Sequence, residues 1–133
     1  MISVDKISKR LVVKRNSVIT KNLRFDGKIV AGMNCSFLGN IEGYEVYLAK
    51  GCIIGGVIKS TRVVVGANSE FNEIYASNVL LQKKCRGKTV YAKDVVRVMD
   101  GCKIDEIVSE GLLLIEGSSK IGKMVAKKIL AYG

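Results

Sequence analysis

The chain has 133 residues, one domain's worth, with 48% hydrophobic side chains, 6% aromatics and no Trp, Pro or His. The missing histidine removes the commonest general base and metal ligand, and no apolar run reaches the length of a membrane-spanning helix. The net charge of +10 lies at the ends, with net +6 over residues 1–28, zero over 29–119 and +4 over 120–133, whereas a nucleic-acid binder more often carries its charge across the body. No secretory signal with a cleavage site is visible, which points to the cytoplasm.

Residues 1–16 lack the glycine-marked corners seen further on and are crowded with Lys and Arg. Ile2, Val4, Ile7 and Leu11 are among their apolar side chains. On a helical wheel Val4, Ile7 and Leu11 fall near one side, with Lys6, Lys9 and Arg10 opposite. Two readings follow: a solvated, flexible basic tail, or an amphipathic anchor on the anionic inner face of the cell membrane.

From Ser17 to the end a different pattern holds. Cys35, Cys52, Ser69, Cys85, Cys102 and Ser119 recur every 16 or 17 residues. On the same beat run Phe37, Ile54, Phe71, Gly87, Ile104 and Ile121, and then Ile41, Ile58, Ile74, Val90, Ile107 and Met124. A third set is made of pairs spaced by two: Val46/Leu48, Val63/Val65, Val79/Leu81, Val96/Val98, Leu113/Ile115 and Leu130/Tyr132. The runs are short and rich in β-branched residues, so they read as strands, and the pairs face one side. Cys52–Asn68 is one whole turn with three strands and three small or polar corners. A single turn cannot bury its apolar face, so the copies must stack. Absence of proline suits a chain that donates ladder hydrogen bonds along most of its length. The pattern predicts an all-β, single-domain parallel β-helix over residues 17–133, with about six coils. The first coil reads as abbreviated, because Phe25-x-Gly27-x-Ile29-x-Ala31 repeats the Phe37–Gly43 motif after only 12 residues.

Little in this pattern carries chemistry. The four cysteines contain no Cys-x-x-Cys pair and share their column with serines, so they read as small corner residues rather than metal or redox ligands. Glu42, Glu45, Glu70, Glu73, Asp105 and Glu106 have no accompanying nucleophile or base and read as solvated corner charges. Gly55-Gly56 and Gly66 match no nucleotide fingerprint. No cofactor is expected, and the chain reads as a non-enzyme. The basic ends lack interleaved aromatics, which makes nucleic acid an unfavoured partner.

The repeated motif apolar-x-Gly-x-Ile-x-small, in Phe25–Ala31, Phe37–Gly43 and Ile54–Ser60, resembles that of the bactofilins, polymer-forming cytoskeletal proteins. So does the opening stretch Ser17–Gly27. The resemblance covers about residues 17–130. It implies a right-handed parallel β-helix and nucleotide-independent, end-to-end assembly into filaments. It also implies flexible termini, an N-terminal tail that contacts the inner membrane, and a scaffolding role for cell shape or envelope-building enzymes. Two departures stand out: the glycine corner is lost after the second full coil, and the tail is longer and more basic than a minimal membrane peptide.

A stack of coils ends in bare strand edges and open apolar cross-sections, which recruit other chains unless capped. Phe25 and Ile29 at one end, and Met124, Leu130 and Tyr132 at the other, are the side chains expected to form the junction of a homopolymer. The competing reading is a monomeric β-helix adaptor whose basic ends hold nucleic acid or acidic lipid.

Overall fold

A computed structural model describes residues 1–133, and every regular element in it is a strand. The strands wind into a three-sided parallel β-helix. The first face stacks β3 (Val18–Ile19), β5 (Ser36–Phe37) and the opening residues of β7 (Ile53–Lys59), β9 (Glu70–Leu81), β10 (Arg86–Val98), β11 (Lys103–Ser109) and β13 (Lys120–Val125). The second face stacks the start of β4 (Leu23–Ala31), the start of β6 (Ile41–Leu48), and the later residues of β7, β9, β10, β11 and β13. The third holds β2 (Arg10–Val13), the ends of β4 and β6, β8 (Arg62–Val65), the ends of β9 and β10, β12 (Leu112–Glu116) and β14 (Lys128–Tyr132).

Residues of one repeat column lie over one another as the spacing predicts. Ile41, Ile58, Ile74, Val90, Ile107 and Met124 are successive ladder partners. The side chains of the first five, with those of the other two faces, form one core of 30 buried residues, while Met124 is left exposed on the last coil. At Gly87 the column has no side chain of its own, and the Phe71 ring from the coil below fills the space. A Cβ at Gly87 would stand 2.1 Å from Phe71 Cζ. Lengths change only at corners. One residue is lost between Phe71 and Ile74 and one regained between Ala92 and Val95, so the inward set stays in register.

The Cys/Ser column has a seventh member, Ser17, 18 residues before Cys35, and the rod has about seven turns rather than six. Ser17 is buried. The first coil is complete. Ile19 lies over Phe37, Leu23 over Ile41, Ile29 over Val46 and Ala31 over Leu48, with one extra residue between Phe25 and Lys28. The likeness of Phe25–Ala31 to Phe37–Gly43 is therefore not a structural alignment, since Phe25 pairs with Gly43.

Residues 1–16 are neither a free tail nor a helix. β1 (Ile2–Asp5) and β2 form an antiparallel hairpin, and β2 continues the third face with Leu11 on Ile29 and Val13 on Ala31. The hairpin turn is set by Asp5, whose Oδ1 accepts hydrogen bonds from the amides of Ile7 (3.0 Å) and Ser8 (3.3 Å). A hydrogen bond from the Ser8 side chain, together with those two amide bonds, holds the Asp5 carboxyl below its ordinary pKa.

Candidate assembly surfaces

Six of the seven corners of the Cys/Ser column, all but the one before Ser119, repeat one local device. The residue just before the column sits in the left-handed region: Asn16 (φ 61°), Asn34 (58°), Gly51 (74°), Asn68 (58°), Lys84 (60°) and Gly101 (77°). Asn and Gly tolerate that conformation, and Lys84 is the strained exception. The next residue turns inward and bonds a backbone carbonyl of the preceding coil. Cys35 Sγ donates to Lys14 O at 3.2 Å, Cys52 to Gly32 O at 3.4 Å, Cys85 to Gly66 O at 3.2 Å and Cys102 to Gln82 O at 3.1 Å. Ser119 Oγ donates to Met99 O at 3.0 Å and also accepts from Cys102 N. The column thus needs a small side chain with one polar hydrogen, which Cys and Ser both supply.

All four thiols are buried and free of disulfides. Burial pushes the Cys52 thiol up, and a hydrogen bond with Cys102 together with burial does the same for Cys85. The same hydrogen bond holds its partner Cys102 down to about 7, so Cys52 and Cys85 are the thiols left with little thiolate, the reactive form. No group of three or more Cys, Asp or Glu stands close enough to share a metal ion. A surface groove of about 580 Å³ is lined by Arg24, Phe25, Asp26, Glu42, Gly43, Tyr44 and Lys59 to Thr61. Its Glu42 is engaged by Arg24 at 2.7 Å.

The two ends of the rod differ. At the C-terminal end β13 pairs only with β11 and β14 only with β12, so the last rung has nothing above it. Met124 and Ile129, which extend buried columns, are 44% and 43% exposed there, with Ile121 and Ala126 partly buried beside them. At the N-terminal end β1 covers the third face. Ile2 pairs with Val13 and Val4 with Leu11, so both extend inward columns while staying 41% and 51% exposed. On the other two faces β3 and Leu23–Phe25 form the first rung.

The residues singled out from sequence distribute as follows. Met124 lies on the open C-terminal cross-section. Leu130 and Tyr132 do not, because the last coil is one residue shorter between Ala126 and Ile129. They ladder with Leu114 and Glu116 on the outer surface, while Ile129 and Ala131 continue the inward columns of Leu113 and Ile115. Ile29 is fully buried under Leu11, and Phe25 is partly buried against the core. Of the expected amphipathic set, Leu11 is buried in the core with Val4 paired beside it, while Ile7, at the hairpin turn, is 98% exposed, so the three do not form one helical face. Lys6 and Lys9 lie in the exposed turn and Arg10 points outward from β2. Ile2, Val4 and Ile129 are the end residues that spacing did not single out for assembly. What marks them is ladder register, since each lies one ladder step from a buried position.

No helix is long and apolar enough to cross a membrane. Comparison of the chain with protein-family models, with curated proteins and with solved structures gives no match.

Proposed function

We propose that the chain is the subunit of a self-assembling, non-enzymatic β-helix scaffold that stacks end to end without nucleotide, as the bactofilin resemblance implies. One observation carries the reading: inward apolar columns run out through the C-terminal end uncovered, ending in Met124 and Ile129. Covering those two half-exposed side chains contributes about 1 kcal/mol each. Joining free strand edges adds ladder hydrogen bonds. In such a scaffold, envelope-building enzymes or other cytoplasmic partners would dock along the sides.

The ends oppose assembly electrostatically. Lys120, Lys123, Lys127 and Lys128 lie at one end, and Lys6, Lys9 and Arg10 at the other. A head-to-tail joint therefore strengthens with salt. This same feature favours the second reading, a monomeric adaptor with basic ends.

Sedimentation velocity separates the two. A carboxylate placed in a dry junction loses the apolar gain and adds a desolvation penalty of several kcal/mol. Met124→Glu and Ile129→Glu should therefore weaken assembly by about a thousandfold, while Leu130→Glu, on the outer surface, should leave it nearly unchanged. A wild-type chain that stays monomeric at high concentration and high salt supports the adaptor instead.

A further inference from the structure

The first face of the rod has an outward column that changes character along its length. Its members are Val18, Ser36, Ile53, Glu70, Arg86, Lys103 and Lys120, each the ladder partner of the next. The C-terminal part places three cations directly over one another, roughly 4.8 Å apart. Lys84 and Lys88 flank them, and all five side chains are exposed. Lys84, Arg86, Lys103 and Lys120 line a shallow groove of about 390 Å³ with Gly101, Cys102 and Ser118.

Like charges opposite one another on adjacent strands repel. None of these five cations takes part in an ion pair. The chain's salt bridges join Arg24 to Glu42, Arg97 to Glu116 and Lys123 to Glu106. Glu70 and Asp105 are the acids on the same face, which leaves it net positive. Glu70, the ladder partner of Arg86, and Asp105 offset only part of this repulsion among five cations, and an external anion would relieve the rest.

The N-terminal part of the face is apolar and uncovered. Val18 on β3, Ile53 on β7 and Leu38, directly after β5, are 53%, 51% and 63% exposed. The face's large aromatics, Phe37 and Phe71, point inward and are buried, so it offers no base-stacking platform. Large apolar side chains and cations thus occupy the two parts of one sheet face on the order of 29 Å long. That combination matches the interface of an anionic bilayer, where headgroups meet the cations and apolar groups enter the acyl boundary.

We propose that this face, through Arg86, Lys103 and Lys120 together with Leu38 and Ile53, is a docking surface for anionic lipid bilayers. The rod then lies flat on the membrane by its side, independently of the N-terminal hairpin and of end-to-end stacking.

Vesicle co-sedimentation tests it, using phosphatidylcholine alone and phosphatidylcholine mixed equally with phosphatidylglycerol. The wild-type chain should bind only the mixed vesicles and be released by high salt. Arg86→Glu/Lys103→Glu, and the milder Arg86→Gln/Lys103→Gln, should weaken binding at least tenfold. Leu38→Ser/Ile53→Ser should weaken it severalfold. Lys6→Glu/Lys9→Glu, in the hairpin turn, should bind like wild type. Circular dichroism on each variant checks that the sheet is intact. The proposal is overturned if wild type ignores anionic vesicles, if folded ladder variants bind as before, or if the hairpin variant is the one that loses binding. It is likewise overturned if a single-stranded DNA oligonucleotide displaces the vesicles and binds more tightly.

Discussion

Gly87 and Phe71 form a large–small pair across adjacent coils, and the pair can be broken from either side. In Gly87→Ala the new Cβ would stand 2.1, 2.2 and 2.4 Å from Phe71 Cζ, Cε1 and Cε2. Ordinary carbon contacts are about 3.5–4.0 Å, so the ring must withdraw by more than about 1 Å. It has little room, being buried with Ile54 as its ladder neighbour below. Overpacking of this kind costs about 1–3 kcal/mol. Phe71→Ile, which matches Ile54, Ile104 and Ile121 in the column, leaves a hole over Gly87 and costs about 1–2 kcal/mol. In the double variant the added methyl occupies that hole, so the costs cancel in part, with a coupling of about 2 kcal/mol. Urea unfolding followed by far-UV circular dichroism measures all four chains, with stability read from midpoints at constant slope. If Gly87→Ala unfolds at the wild-type midpoint, or if the two losses simply add, the ring does not fill that space and the stacking described here is wrong.

Two further substitutions address the corners. Lys84 holds a left-handed conformation that Asn or Gly occupies in five other coils, so Lys84→Asn or Lys84→Gly should raise stability by about 0.5–1 kcal/mol in the same urea assay. Cys85→Ser should stay within about 1 kcal/mol of wild type, because a hydroxyl can donate to the Gly66 carbonyl as Ser119 does to Met99. Cys85→Leu should destabilise by several kcal/mol through overpacking and loss of that bond.

Much of the fold was legible because strand columns obey simple rules. Ile41, Ile58 and Ile74 announce themselves by type and spacing, and each lands on its neighbour. The misreadings came where local likeness and ladder register diverge. Phe25-x-Gly27-x-Ile29 copies a motif, yet one extra residue before Lys28 puts Phe25 opposite Gly43 and leaves Ile29 in the third face. A corner one residue shorter after Ala126 turned Leu130 and Tyr132 outward, which no periodicity in a terminal coil could reveal. In the N-terminal segment Val4, Ile7 and Leu11 have helical spacing, but the governing signals were the turn-forming Asp5 and the alternation of Leu11 with Val13. Strand addition to the free edge of β4 decided between them, because it buries Leu11 and covers Ile29. The lateral face of cations and apolar groups was hidden for a related reason. Its members are a coil apart in sequence and become neighbours only once the register is known.

The claim on which the functional reading stands is that the rod's open apolar columns continue into another subunit. Cryo-electron microscopy of the purified chain at high salt, with no nucleotide added, tests it most directly. The account predicts filaments in which β-rungs about 4.8 Å apart run unbroken through every junction, with Met124 and Ile129 buried at the joint. Isolated rods of about seven rungs at every concentration, or filaments joined through the sides with both ends left bare, would contradict it.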